Sequence, residues 1–228
     1  MEALRDEIGH FMTFDGHTHP DLSNSYFVRS LYFDNLSADN YYQKIDGVKT
    51  RRKFRIRTYD KQFKPDTPLF LEEKGRHNER TYKTRHPIRF ENLGLFLKTQ
   101  RTDELISLLD LHPDVPVVEQ FVFECLRRRL VPRVLVDYVR QPYVSDFDMN
   151  FRITLDSSLR AAAVAELFPR EDAAWRLAEA GYTIVEVKFD RRVPAWFHRL
   201  IQTHNLRRLS ISKFCRGMEI CCLAENLE

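Results

Sequence analysis

The feature that most restricts the fold is a segment in which every second residue is basic. In residues 48–59 these alternating positions are Lys49, Arg51, Lys53, Arg55 and Arg57. Phe54 and Ile56 lie between the last three of them. Because side chains two residues apart share one face of a strand, the segment predicts a strand with a cationic face and an apolar face.

Four further segments divide in the same way into a charged face and a largely apolar one. Their charged-face residues are Glu72, Lys74 and Arg76 in 69–76, Lys83 and Arg85 in 81–90, Arg152 in 151–156, and Glu186 and Lys188 in 183–190. The connections between the segments from 48 to 90 are short, which favours an antiparallel order of strands.

Two arrangements account for such strands. The simpler one is an antiparallel sheet whose polar face is solvated. However, basic residues outnumber carboxylates on these faces, whereas solvated faces usually mix both signs. The alternative is an antiparallel β-barrel with helices packed on its apolar outside and a cationic interior. Such an interior would hold a polyanion, because like charges at close range repel one another strongly. Glu72 and Glu186 would then suit a divalent cation that bridges phosphate oxygens.

The remaining pattern favours a single α+β domain over residues 1–228. Helices are predicted over 2–12, 92–111 and 118–130, and a last strand over 218–223. The net charge is only +3, so the distribution of charge and not its sum indicates a polyanion ligand. The strict alternation and the two carboxylates argue against a nucleic-acid surface.

The four cysteines and the N-terminal segment bear on the location of the protein. Cys125, Cys215, Cys221 and Cys222 have no metal-ligand spacing and are predicted to be reduced and buried. There is no signal peptide and no apolar run long enough to span a membrane. We therefore expect a cytoplasmic protein.

Several segments, taken in order, resemble the VTC domain. This is the polyphosphate polymerase domain of the vacuolar transporter chaperone proteins and their bacterial relatives, within the triphosphate tunnel metalloenzyme (CYTH-like) superfamily. The segments are Ser30–Asn35, Arg51–Tyr59, Phe70–Lys74 with Lys83–Arg85, Val136–Arg140, Phe151–Asp156, Ile184–Lys188 and Ser212–Phe214. The resemblance implies an antiparallel barrel, the triphosphate tunnel, with inward basic residues that bind triphosphate or polyphosphate and a glutamate that holds Mn²⁺ or Mg²⁺.

The resemblance also implies roles for individual residues. The implied catalytic and substrate-binding residues are Arg55, Arg57, Lys74, Lys83, Arg140, Arg152, Lys188 and Lys213, with Arg85 as a further substrate-binding residue. The implied metal ligand is Glu186, with Glu72 beside it. Most of these residues are also selected by strand parity. Arg140 is taken from the resemblance alone, because Val134, Val136 and Tyr138 share its parity.

The implied reaction is the transfer of the γ-phosphate of ATP to a growing polyphosphate chain. An inactive module that binds polyphosphate or inositol pyrophosphate and a tunnel triphosphatase are the alternatives. ATP and polyphosphate or triphosphate are the expected partners, and a membrane-protein partner and the oligomeric state are left open. Family members begin with a strand that carries a Glu-x-Lys-Tyr-like motif, and residues 1–12 contain none. We therefore expect that first strand to be missing.

Overall fold

The computed structural model describes residues 1–18, 20–148 and 150–225. Its strands are β1 (Thr13–Phe14), β2 (Tyr26–Asp34), β3 (Thr50–Thr58), β4 (Leu69–His77), β5 (Arg80–Ile88), β6 (Val131–Val144), β7 (Arg152–Ala162), β8 (Arg176–Leu177) and β9 (Ile184–Lys188). Its α-helices are α1 (Glu2–Gly9), α2 (Asp39–Ile45), α3 (Leu93–Leu97), α4 (Thr102–Leu111), α5 (Pro116–Arg128), α6 (Ala195–Thr203) and α7 (Lys213–Ile220). None of the helices in this part of the chain has the length and hydropathy needed to cross a membrane.

The strands form an antiparallel sheet in the order β5-β4-β3-β2-β6-β7-β8. Strand β1 pairs with β6, and β9 pairs with β7. The α+β class and the antiparallel sheet are confirmed.

The predicted closure into a barrel is not found. Strands β5 and β8 end the order, and no pairing joins them within the described ranges. A reason lies in their lengths, since β8 has two residues and offers little edge to the nine-residue β5. Closure also needs a matched tilt and stagger of all strands, which alternation does not specify.

The chain divides into two compact units. The larger unit comprises 28–137, 159–178 and the described residues from Ser212 onward, and the smaller unit comprises 1–27, 138–158 and 179–211. The single domain over 1–228 stays a prediction.

The core of the larger unit lies on the apolar face of β2, β3 and β4. Phe54 and Ile56 are fully buried there, as the alternation predicts. Phe121 of α5 contacts two rings of the sheet edge-on, with centroid distances of 5.0 Å to Phe33 and 5.4 Å to Phe54. This packing covers the apolar face with helices and leaves the opposite, charged face to the site described below.

The smaller unit has a core of its own. Leu4 and Ile8 of α1 pack with Phe151 and Ile153, and α6 adds Phe197. The apolar positions of 151–155 therefore face inward, as predicted. The charged positions of β7 and β9 consequently lie on the opposite face.

Three local expectations are wrong. The helix predicted over 92–111 is two helices, α3 and α4, because the intervening Thr99 is buried and its hydroxyl donates to the Leu130 carbonyl oxygen at 2.5 Å. Residues 218–223 hold the end of α7 instead of a strand. All four cysteines are free, but only Cys125 and Cys215 are buried.

Candidate functional site

The register of β2 to β5 brings six predicted site residues onto one face of the larger unit. In one row across the strands, Tyr32 lies opposite Arg55, Arg55 opposite Glu72, and Glu72 opposite Arg85. We call these four residues the arginine row.

The adjacent row on the same face consists of lysines. Lys53 lies opposite Lys74, and Lys74 lies opposite Lys83. We call these three residues the lysine row. On the other side of the arginine row, Arg57 lies opposite Ser30 and Phe70. Strand parity therefore predicted which residues share this face.

Glu72 is the centre of the arginine row. Its Oε2 accepts from Arg55 Nε at 2.8 Å and lies 3.8 Å from Arg57 Nε. Its Oε1 accepts from Arg85 Nε at 2.7 Å and lies 2.8 Å from Lys83 Nζ. Burial alone would raise the pKa of Glu72, but Arg55, Arg57 and Lys83 together hold it far below its usual range. The carboxylate is therefore ionised and holds four cations in place.

Arg55 is fixed from two sides. Besides its contacts with Glu72, its Nη1 donates to the Tyr32 hydroxyl at 2.8 Å. Burial acts to raise the pKa of this hydroxyl, yet Arg55 and Arg57 bring it below its ordinary value. Arg57 in turn donates through Nε to Ser30 Oγ at 3.1 Å. Such contacts restrict the guanidinium groups to defined orientations on the face.

The positive charges of the lysine row have fewer contacts with carboxylates than those of the arginine row. Lys83 contacts Glu72 of the neighbouring row, and burial lowers the pKa of Lys83. Lys74 is exposed. The predicted Lys213 is the first residue of α7, and it contributes to the low pKa of Tyr32, so it acts on the same face.

In the smaller unit, Arg140 joins two carboxylates. It donates to Asp156 through Nε at 2.7 Å and Nη2 at 2.6 Å, and Nη2 also donates to Glu186 Oε2 at 3.1 Å. Burial disfavours the charge of Arg140, but Asp156 outweighs it and raises the pKa of the guanidinium. Arg152 lies opposite Lys188 on β7 and β9, two positions along from Glu186. Arg140, Arg152, Glu186 and Lys188 are therefore associated with one sheet face in this unit.

Sequence reasoning missed Tyr32 and Asp156. Both could have been found by extending the parity argument. Tyr32 has the parity of Ser30, which pairs with Arg57, and Asp156 has the parity of Arg152. The reasoning stopped at basic residues and therefore overlooked the groups that orient them.

The two predicted metal ligands differ in how well they fit a metal. Within 1–18, 20–148 and 150–225, no three His, Cys, Asp or Glu side chains come together in a way that could hold a metal ion. Glu72 does not fit, because its side chain is 1% exposed and both oxygens are engaged by cations. The Glu186 side chain is 41% exposed, so its carboxylate is accessible to a metal ion. Mg²⁺ is usually bound by one or two carboxylates together with phosphate oxygens, which Glu186 fits.

These features define an α+β protein whose antiparallel sheet carries ordered rows of cations on one face. The chain belongs to the VTC domain family, whose sequence profile matches residues 1–222. The resemblance found in the sequence is thereby confirmed.

A similar curated protein is vacuolar transporter chaperone complex subunit 4 of Schizosaccharomyces pombe. It is 24% identical over an aligned region that covers 84% of this chain and 31% of the relative. The chain thus spans about a third of the length of that relative.

Two solved structures are similar at 13% identity. One is a candidate adenylate cyclase of Bacillus halodurans, with a TM-score of 0.47 and coverage of 92% of this chain and 88% of the other. The second is a protein of Pyrococcus horikoshii, with a TM-score of 0.41 and coverage of 96% and 86%.

Proposed function

We propose that this chain is a polyphosphate polymerase that transfers the γ-phosphate of ATP to the end of a polyphosphate chain. Membership of the VTC domain family and the polyphosphate-related role of that family support the general class. The observation that carries the proposal is the arginine row, in which a buried Glu72 holds Arg55 and Arg85 on a face that also presents Lys74 and Lys83.

Arginine suits this role because its planar donors match phosphate oxygens in pairs. On the larger unit, the phosphate chain would contact Arg55, Arg57, Arg85, Lys74, Lys83 and Lys213. In the smaller unit, Arg140, Arg152 and Lys188 supply a second set of phosphate-binding cations. The phosphate-binding role of each residue follows from its contacts within its own unit.

Catalysis would rest on position and charge. In phosphoryl transfer the charge of the transition state spreads over the oxygens of the transferred group, and fixed cations stabilise it. Glu72 and Tyr32 orient Arg55 before substrate binds, so little reorganisation is needed during reaction. The attacking group is the terminal phosphate of the chain, which is ionised at neutral pH. Its oxygen bonds to the γ-phosphorus of ATP while the bond from that phosphorus to the β–γ bridging oxygen breaks, and ADP leaves. No protein nucleophile is required.

Glu186 would hold the divalent metal, Mn²⁺ or Mg²⁺. When bound, the metal neutralises charge on the phosphate oxygens of the nucleotide. Arg140 Nη2 donates to Glu186 Oε2 at 3.1 Å and keeps this carboxylate oriented. Asp156, which binds Arg140 through both oxygens, would act through Arg140 as a positioning residue.

The proposal is tested by incubating the purified chain with ATP and Mn²⁺ and detecting long polyphosphate on gels. We expect polymer from the wild type and from the control variant Arg89→Ala. The Arg89 side chain is 83% exposed and belongs neither to the two rows nor to the contacts of Arg140. We expect none from Arg55→Ala or Glu186→Ala. Tight tripolyphosphate binding without polymer would refute the polymerase and favour the binding module. Release of phosphate from tripolyphosphate would favour the triphosphatase.

A further inference from the structure

Lys53 belongs to the lysine row, but the family resemblance assigns it no role. Its Nζ lies 4.3 Å from the centroid of the Phe214 ring and 3.6 Å from Cys215 Sγ. Within the described residues it forms no ion pair with a carboxylate. A half-buried lysine in such surroundings is unusual, because an ammonium group withdrawn from water normally has an anionic partner.

The start of α7 adds positive potential close to Lys53. Phe214 and Cys215 belong to the first turn of α7, where backbone N–H groups lack intrahelical acceptors and the helix dipole is positive. Ser212 Oγ caps the Cys215 N–H, at 3.4 Å. Lys213 begins the same turn. The helix dipole disfavours a cation at this end, and a bound anion would offset that cost.

The two rows differ in the charge of the residue at their centre. In the arginine row, a carboxylate, Glu72, lies between Arg55 and Arg85. In the lysine row, the corresponding position between Lys53 and Lys83 is occupied by Lys74, another cation. Like charges directly opposite each other on neighbouring strands are destabilising. A phosphate group would therefore supply to the lysine row the negative charge that Glu72 supplies to the arginine row.

We propose that Lys53 and the first turn of α7 form an additional phosphate-binding position, next to Lys74, on the cationic face of the larger unit. This inference rests on the proposed function, because it assigns a further contact to the same ligand. It adds a residue to those indicated by the family motifs. It also gives the start of α7 a role besides that of Lys213.

The protonation of Lys53 offers a readout that a purely structural role would not move. Burial lowers the pKa of Lys53, and Cys215 and then Tyr32 oppose this effect only in part. The groups that act on Lys53 or lie opposite it are Tyr32 and Asp34 from β2, Lys74 from β4 and Cys215 from α7. Lys213 of α7 acts on Tyr32. A bound phosphate would favour the charged ammonium and raise the pKa of Lys53, so binding should be accompanied by proton uptake at the pH where the free protein loses the Lys53 proton.

The experiment is calorimetric titration of the purified chain with tripolyphosphate, at several pH values from neutral up to the usual lysine pKa of about 10.4, in two buffers of different ionisation enthalpy. Loss of one charge-assisted contact predicts about tenfold weaker binding for Lys53→Met, with reduced proton uptake. The matched control Lys64→Met changes an exposed lysine of the β3–β4 connection and should bind like the wild type.

The outcomes separate this inference from the proposed function. Wild-type affinity and proton uptake in Lys53→Met would overturn the role of Lys53 and leave the proposed function intact. Absence of tripolyphosphate binding to the wild type would overturn both. If Lys53→Met does not fold, amine acetylation of the wild type followed by mass spectrometry replaces it. Tripolyphosphate should then slow the acetylation of Lys53 but not that of Lys64, and equal rates at Lys53 would refute the inference.

Discussion

Glu72 provides the most direct test of how the cationic face is held together, through the substitution Glu72→Gln. This change keeps the shape of the side chain and removes its charge. Arg55 and Arg57 then remain near a neutral group, with side chains only 13% and 8% exposed. Removing one partner of a buried ion pair typically costs about 3–5 kcal/mol, because the remaining charge is buried and unpaired.

The other two partners of Glu72 contribute less. The Lys83 and Arg85 side chains are 43% and 35% exposed, so water can solvate them when Glu72 is neutral. We therefore expect Glu72→Gln to lower the free energy of unfolding by about 3 kcal/mol, the lower end of the range for buried pairs. Denaturant unfolding followed by circular dichroism measures this difference.

The matched control is Glu79→Gln, in the β4–β5 turn. Glu79 pairs with Arg76 at 3.1 Å, but its side chain is 93% exposed. An exposed pair of this kind contributes less than about 1 kcal/mol. An unfolding midpoint of Glu72→Gln equal to that of the wild type, at an unchanged denaturant slope, would contradict the assignment of Glu72 as the centre of the arginine row.

The same pair of proteins should differ in pH dependence. The pKa of Glu72 is depressed in the folded state, so its contribution to stability is fully present above the unfolded pKa of about 4.3. That contribution is lost as the pH falls from there towards the lower folded pKa. The stability difference between wild type and Glu72→Gln should therefore shrink on acidification below about pH 4.3. A difference that stays constant would argue against the ion-pair explanation.

Further substitutions separate the roles of the neighbouring groups. Tyr32→Phe removes the hydroxyl that accepts from Arg55 but keeps the ring, so we expect about 1 kcal/mol lower stability by denaturant unfolding and a reduced kcat in the polymer assay. An unchanged kcat would show that Tyr32 does not orient Arg55 for reaction. Asp156→Asn should destabilise the protein by about 3 kcal/mol, because the Asp156 side chain is fully buried against Arg140. Glu186→Gln should cost less than about 1 kcal/mol, because Glu186 is partly exposed. Equal losses for these two variants would contradict the distinction between the positioning and the metal-binding carboxylate. In calorimetric titrations with Mn²⁺, Glu186→Gln should lose metal binding while Glu72→Gln retains it, and the reverse result would restore Glu72 as the ligand.

The composition of each sheet face was predictable from sequence because it depends on local geometry. Side chains alternate along any strand, so the positions of Arg55, Glu72 and Lys83 identify a charged face before any partner is known. The same argument predicted the buried Phe54 and Ile56, which are fully inaccessible in the structure. The VTC domain resemblance added Arg140 and Lys213, which alternation alone did not select.

The break between α3 and α4 was not predictable, because it depends on a distant partner. The apolar pattern continues from 93 to 109, but Thr99 bonds to the Leu130 carbonyl oxygen, 31 residues away. Residues 218–223 were misjudged for a different, local reason. Their apolar content suits either a strand or a helix, and the Ser212 cap at the start of α7 favours the helix.

By itself, the sequence determined the class of fold, the faces of the strands and the family, because these follow from periodicity and from motifs in order. Only the tertiary structure decided how the charges on one face are shared. Register places Glu72 between Arg55 and Arg85 but Lys74 between Lys53 and Lys83, so one row contains a carboxylate at its centre and the other contains a third cation there. Tertiary structure also decided that the sheet stays open, since closure depends on the lengths and stagger of many strands together.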